Sequence, residues 1–516
     1  MAQIFGTSGN DFLAGTPEAD WISGRQGNDT IVAGAGNDTI NMSTGGSASH
    51  GNDFIDAGTG VDTLDYGGAA RSAIVVDLAA GTASSSAGTA TLAGIENVNG
   101  SAFGDRMTGD SAANYFFAWD GNDTLDGGGG VDRLDGGAGN DTYVVTPGDT
   151  IVDSSGIDHV MSRTSWTLGD GLENLTIDAS EPFVEGEGNE LSNIIRGTGD
   201  DVRLYGRAGD DRLQVDSRFS ILEGDEGNDT LLGGQGFDNL FGEAGDDVLD
   251  DRANTLPGAF SVRGASFTGG EGNDTIFGGA ADDLVQFSGI YGNDVVSGGG
   301  GRDSITFEQA FSSVFVDLSQ GFATGGGTGS ASVTGIENVY GGALDDLLIG
   351  NSSANLISGA SFFQHEPSQG PDGNDTLFGL TGHDTLVGGS GNDWLQGDGW
   401  SDTLSGGAGS DSFVWAEAGA SQVDRVLDFE HGTDELLFDI SYFRTMGTPG
   451  PWLEGDERFF AAAGATSGHD TDDRLVYNTS TGALYYDADG SGSGASQIVA
   501  TFQGIPTITA SDVTVI

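Results

Sequence analysis

The chain has no cysteine, so it forms no disulfide and offers no thiolate to a metal. Basic residues are scarce. Lys and Arg total 17 against 79 Asp and Glu, for a formal net charge of −62. Such a polyanion is not built to hold nucleic acid or an anionic membrane surface. No stretch approaches the roughly 18 apolar residues of a membrane span. The start, MAQIFGTSGND, lacks the basic residues and apolar run of a cleavable secretory signal, and composition alone suggests cytoplasm. Catalytic signatures are missing too: there is no H-E-x-x-H, no G-x-S-x-G and no phosphate-binding loop. The histidines, His50, His159, His365, His383, His431 and His469, form no ligand pair at helical spacing.

Glycine, by contrast, is abundant: 92 of 516 residues, without the three-residue period of collagen. Glycine with acid reads as low-complexity disorder. Against that reading stand 36% hydrophobic residues, regularly spaced. The spacing is plainest from Gly370 to Val414: GPDGNDTLF, GLTGHDTLV, GGSGNDWLQ, GDGWSDTLS, GGAGSDSFV. Gly holds the first place of each nine-residue block, Asp the sixth and an apolar residue the eighth. The sixth places are Asp375, Asp384, Asp393, Asp402 and Asp411; the eighth places are Leu377, Leu386, Leu395, Leu404 and Phe413. This period is neither helical nor that of a plain strand. It describes a glycine-rich turn followed by a very short strand, stacked into a solenoid with one inward side chain per block.

The blocks match G-G-x-G-x-D-x-U-x, and the chain resembles the RTX family of calcium-binding secreted proteins. The resemblance implies an all-β fold, a parallel β-roll in which two blocks make one coil. It implies several Ca²⁺ ions between coils, held by sixth-place Asp carboxylates and loop carbonyls. Neighbours on one edge then stand eighteen residues apart: Asp375, Asp393 and Asp411 on one, Asp384 and Asp402 on the other. The energetics agree. One buried apolar side chain per block does not offset the ordering of nine residues. Carboxylates stacked about 4 Å apart repel by up to about 4 kcal/mol at an effective dielectric near 20. A hard divalent cation removes that repulsion and makes binding energy into folding energy.

In chain order, residues 1–65 form a first roll block with Asp11, Asp20, Asp29 and Asp38 in unbroken register. An insertion from Ser43 to Ser47 precedes Asp53 and Asp62, and Arg71 stands where the edge of Asp53 would continue. Residues 66–99 are a β spacer with IVVDL and GIENV, and residues 307–340 duplicate it with VFVDL and GIENV. Residues 145–187 form a related spacer. Alternation predicts short strands that continue the solenoid as coils without metal. Glu96-Asn97 and Glu337-Asn338 sit in these repeated strand-turn patterns and read as structural turns, not catalytic carboxylates.

A second block, 100–144, carries Asp105, Asn114, Asp123, Asp132 and Asp141, with Leu125, Leu134 and Tyr143 as core positions. A third, 188–306, carries Asp211, Asp229, Asp238, Asp247, Asp274, Asp283, Asp294 and Asp303. In it Val202 takes one Asp place, and Asp251 to Thr268, with Pro257, reads as a loop or insertion. The fourth, 341–414, opens with Asp346 and Asn355, passes an insertion at Phe362–Pro367 and ends in the array described first. Residues 415–516 lose the repeat. Val423 to Asp439 resembles the segment after the repeats in serralysin-type RTX proteins, and Leu475 to Asp489 reads as a hairpin. Solenoids need an end cap, and this region supplies one. Asp487, Asp489 and Gly490 resemble the start of an EF-hand loop, but the twelfth-place Glu is missing.

With no room left for an ordinary catalytic domain, the expectation is a non-catalytic, calcium-binding β-roll. Export through a type I secretion apparatus, on an uncleaved C-terminal signal ending Ser511 to Ile516, is what the resemblance implies. The protein would then fold outside the cell, on extracellular calcium. The alternatives are a surface-layer, matrix or adhesion protein, self-assembling or bound to cell-surface polysaccharide, and a glycan- or peptide-active enzyme.

Overall fold

The glycine turns do what their spacing demands. Gly391 and Gly409, at fourth places, have φ of 151° and 153°. A Cβ on Gly409 would stand 1.4 Å from the carbonyl oxygen of Gly391, one coil away. Only glycine lets successive turns nest this closely. Each turn releases a short strand. Thr376–Phe378, Trp394–Gln396 and Ser412–Trp415 pair in parallel, as do Thr385–Ser390 and Thr403–Ala408. Leu377, Leu386, Leu395, Leu404 and Phe413 all point inward and are fully buried. The fold is a parallel β-roll.

This computed structural model describes residues 2–42, 49–67, 70–216, 218–255, 263–289, 291–307, 310, 312–325, 329–360, 373–417 and 423–516. The insertions expected at Ser43–Ser47 and Phe362–Pro367, and Pro257, lie outside the described residues. Among the described residues the only helical turn is the 3-10 turn Ala510–Asp512, and no helix is long and apolar enough to cross a membrane.

The chain divides into two units, Met1–Thr230 and Leu231–Ile516. In the first, an eight-stranded parallel sheet runs from Gln3–Phe5 through Trp21–Ser23 and Tyr115–Phe117 to Thr150–Ser155. Strands of the second sheet alternate with these along the chain, from Phe12–Ala14 and Thr30–Val32 to Ile194–Thr198 and Arg212–Val215. Inward residues of both, Ile22, Ile31, Phe116 and Leu125 among them, form the core. In the second unit, Thr275–Phe277, Asn293–Ser297 and Leu347–Ile349 alternate likewise with Asp282–Gln286, Ser304–Thr306 and Asn338–Tyr340. Coil length varies while most strand pairs keep their register. Phe12 opposes Thr30 and Thr30 opposes Phe54.

The duplicated spacers are not plain coils. Ile74–Asp77, Thr82–Ser85 and Gly88–Ala93 make an antiparallel meander. Its outer strands resume parallel pairing, Gly88–Ala93 on Gly51–Asp56 and Ile74–Asp77 on Arg106–Thr108. Val314–Asp317, Phe322–Gly325 and Ser330–Thr334 repeat this arrangement. The third spacer differs: Trp166–Thr167 pairs in parallel with Glu185–Glu187, and Asn174–Asp178 with Ile194–Thr198. The loop expected up to Thr268 is also corrected. Arg263–Glu271 is a strand between Phe237–Ala244 and Asp282–Gln286, because Ala265 and Phe267 alternate inward.

After the repeats, Leu475–Asn478 and Ala483–Tyr486 form the expected hairpin, and Gln497–Phe502 joins it to Asp424–Val426. Val513–Val515 pairs with Glu435–Phe438.

Candidate metal centre

In most repeats the turn ends on the sixth-place Asp, at or just before the start of the strand. Parallel register therefore brings these residues into ladders along the edges of the roll. The rungs are joined by one recurring bond. The amide N–H of Asp11 donates to Asp29 Oδ1 at 2.8 Å, and that of Asp29 to Asp53 Oδ1 at 2.9 Å. Asp20, Asp38 and Asp62 repeat this on the other edge. Asp105, Asp123 and Asp141 follow in the second block, with Asn114 donating to Asp132. Asp211 donates to Asp229, Asp247 to Asp274, Asp274 to Asp294 and Asp283 to Asp303. In the last block Asp346, Asp375, Asp393 and Asp411 make one ladder, and Asn355, Asp384 and Asp402 another. Asp238 is buried near Asp251. Of the sixth-place Asp residues named from sequence only Asp11 is not buried. Val202 is a core residue, so its turn brings no carboxylate there.

One oxygen of each rung is thus satisfied by the preceding coil. The other is often orphaned. The Oδ2 atoms of Asp29, Asp38, Asp123, Asp211, Asp384 and Asp402 are buried without a hydrogen-bond partner. Such burial of charge is costly. Burial pushes Asp402 up to about 8, and Asp424, Asp384 and Asp398 add to the shift against the amide of Asp384. Burial raises Asp123 to about 7, with Asp141 and Asp105 contributing, and raises Asp211 to about 7, with Asp229 contributing.

The first-place glycines complete the site. A Cβ on Gly206 would stand 2.4 Å from Asp211 Oδ2 and 2.6 Å from the carbonyl oxygen of Gly224, one coil on. On Gly388 it would stand 2.3 Å from Asp393 Oδ2 and 2.6 Å from the carbonyl oxygen of Gly406. Carboxylate and carbonyl oxygens converge over a cradle that any side chain would fill. Donors made only of oxygen, several of them charged and orphaned, fit a hard cation such as Ca²⁺ and not a soft one.

The ladders run further than the motif. Asp132 donates to Asp149 Oδ1 and Asp141 to Asp158 Oδ1, both seventeen residues on. Asp402 donates to Asp424 and Asp411 to Asp434, beyond the last repeat. These residues escape a strict eighteen-residue search because their coils are shorter or longer. Glu96, Glu173 and Glu337 accept the amides of Asp62, Asp158 and Asp303. The repeated E-N pair was the signal: the longer side chain replaces Asp as the amide acceptor at a spacer turn.

The model of the RTX calcium-binding nonapeptide repeat matches residues 5–40, 47–70, 92–125, 108–143, 187–217, 223–250, 266–286, 288–307, 333–362, 370–399 and 387–414, more than half of the chain. The chain belongs to the RTX calcium-binding repeat family. Among solved structures, this RTX chain is similar to the AlgE6R3 subunit of the mannuronan C5-epimerase from Azotobacter vinelandii. Identity is 21% over 33% of this chain and 78% of that one, with a TM-score of 0.15. It is also similar to the extracellular lipase LipA from Serratia marcescens, at 18% identity over 57% of this chain and 44% of that one, with a TM-score of 0.17. No curated protein matches the chain.

In this RTX protein the sixth-place aspartates and the glycine-loop carbonyls are the residues that would hold calcium. When bound it neutralises the stacked carboxylates and ties one coil to the next. The EF-hand-like stretch serves another purpose. Asp487 Oδ1 and Oδ2 accept the amides of Asp489 and Gly468, so its carboxylate folds a turn.

Proposed function

We propose that this protein is a secreted, non-catalytic β-roll that takes up several calcium ions and folds on them outside the cell. One observation carries this reading: buried ladders in which one carboxylate oxygen of a rung accepts an amide of the preceding coil and many rungs leave the other oxygen orphaned. Without cations such a core is self-repelling. With extracellular Ca²⁺ near 10⁻³ M, weak oxygen sites fill and the roll closes. Cytosolic calcium is too scarce for that, which keeps the chain unfolded for passage through a type I secretion apparatus. Far-UV circular dichroism in EDTA, then with added Ca²⁺, tests the folding step. β-Content rises on addition; equal β-content in both conditions sinks the reading.

A second reading, attachment to a polysaccharide in a surface layer or matrix, has its own support. A groove of about 530 Å³ on one sheet of the second unit is lined by Phe237, Asn239, Ser266, Gln286, Asn338 and Tyr340, among others. Amides, hydroxyls and aromatic rings suit a sugar chain, and the volume suits a small ligand. Secreted protein tested against arrayed polysaccharides, for binding and for cleavage, separates adhesion from a glycan-active enzyme and from neither.

A further inference from the structure

Beyond the second block lies a cluster that the repeat motif does not contain. Asp141 precedes the strand Thr142–Val145, Asp153 lies in Thr150–Ser155 and Asp158 precedes His159–Ser162. One carboxylate oxygen from each lies within 4.8 Å of the others. The matched repeats stop at residue 143 and resume at 187, so Asp153 and Asp158 fall outside them.

Two independent features mark this cluster as a site. First, Asp141 and Asp158 are 1% and 0% exposed, and the Oδ2 of each is buried without a hydrogen-bond partner. Their Oδ1 atoms accept the amides of Asp123 and Asp141, both at 2.7 Å, which leaves only Oδ2 for a ligand. Second, Asp153 stands across a register break from Gly137, in a stretch where other coils carry glycine. It adds a side-chain carboxylate where the neighbouring coil has only the backbone of Gly137. The inward eighth place is Tyr143 here, not the Leu of the preceding blocks, and its hydroxyl donates to Asp153 Oδ2 at 2.5 Å. That bond holds the third carboxylate in place.

We propose that Asp141, Asp153 and Asp158 form a calcium site that closes the second block and fastens it to the spacer beyond. The proposal rests on the calcium-binding reading. Oxygen donors alone select a hard cation, and affinity rises with the number of charged ligands. With three carboxylates the site fills before the ordinary rungs of its block.

The test is calcium binding by the full chain, measured by equilibrium dialysis at limiting free Ca²⁺, for wild type and Asp153→Asn. The variant is expected to lose one tightly bound ion per chain. Its first-filling class weakens by at least the tenfold that loss of even an outer partner causes. β-Content at saturating Ca²⁺ stays at the wild-type level. An unchanged binding curve overturns the proposal. A wild type that binds no calcium overturns the calcium reading itself. Should Asp153→Asn fail to fold, Tyr143→Phe decides through Tb³⁺ luminescence. Tyr143 is adjacent to the site, so the first Tb³⁺ bound by wild type is sensitised and that component disappears in the variant. A first component that survives Tyr143→Phe overturns the proposal.

Discussion

The amide of Asp384 donates to Asp402 Oδ1 at 2.8 Å, while Asp402 Oδ2 is buried with no hydrogen-bond partner. The two oxygens therefore do different work. One holds two coils in register, and the other is left for a cation. Substitutions that keep one oxygen and remove the charge separate these tasks.

Asp402→Asn keeps an acceptor for the amide of Asp384 and removes the buried charge. It is expected to stabilise the calcium-free protein and weaken the calcium-bound one. Asp402→Ala also orphans the amide and destabilises both forms, by about 1–3 kcal/mol for the lost acceptor. Urea denaturation in EDTA and in Ca²⁺ measures all four cases. Parallel losses for Asn and Ala in EDTA would contradict the division of labour.

Calcium-free stability should depend on pH in the sense opposite to ordinary acid unfolding. Asp402, Asp123 and Asp211 have folded-state values of about 8, 7 and 7, above the ordinary 3.8. The folded chain thus binds more protons than the unfolded one between these limits, and stability falls as pH rises through them. In EDTA, β-content is expected to be greatest near pH 5 and lowest near pH 8, a trend that saturating Ca²⁺ abolishes. Circular dichroism across this range checks it.

Glycine to alanine normally stabilises where the backbone allows it, by about 0.4–1 kcal/mol. Gly397 has an ordinary backbone, yet a Cβ there would stand 2.3 Å from Asp402 Oδ2. Gly397→Ala is expected to invert the usual sign and lower calcium affinity. Calcium titration beside thermal melts in EDTA distinguishes lost coordination from a general packing defect.

Trp415 offers an optical reading of the last ladder. Its indole N–H donates to Asp424 Oδ2 at 2.9 Å, and Asp424 Oδ1 accepts the amide of Asp402. Calcium drawn to this rung perturbs a buried indole. Its contribution to the fluorescence change on chelation is expected to vanish in Trp415→Phe while the circular dichroism response remains.

Much of this protein was legible in its sequence. A glycine that must nest and an Asp that must end each turn recur every nine residues, so the coil, the inward Leu and the ladders follow from local chemistry. The spacers did not yield as readily. Alternation in IVVDL predicts a strand, but not that Ile74–Asp77 turns back through Thr82–Ser85 to Gly88–Ala93 in a meander. Strand direction is set by distant pairing partners, not by a segment's own pattern.

By itself, the sequence determined the fold class and the oxygen-rich, hard-cation chemistry, because turn geometry and carboxylate charge are properties of single residues and their spacing. Only the tertiary structure decided where the ladders end. Asp153, Asp158, Asp424 and Asp434 follow no fixed spacing. They become neighbours of the repeat aspartates because the strands go on pairing in parallel while the coils between them change length.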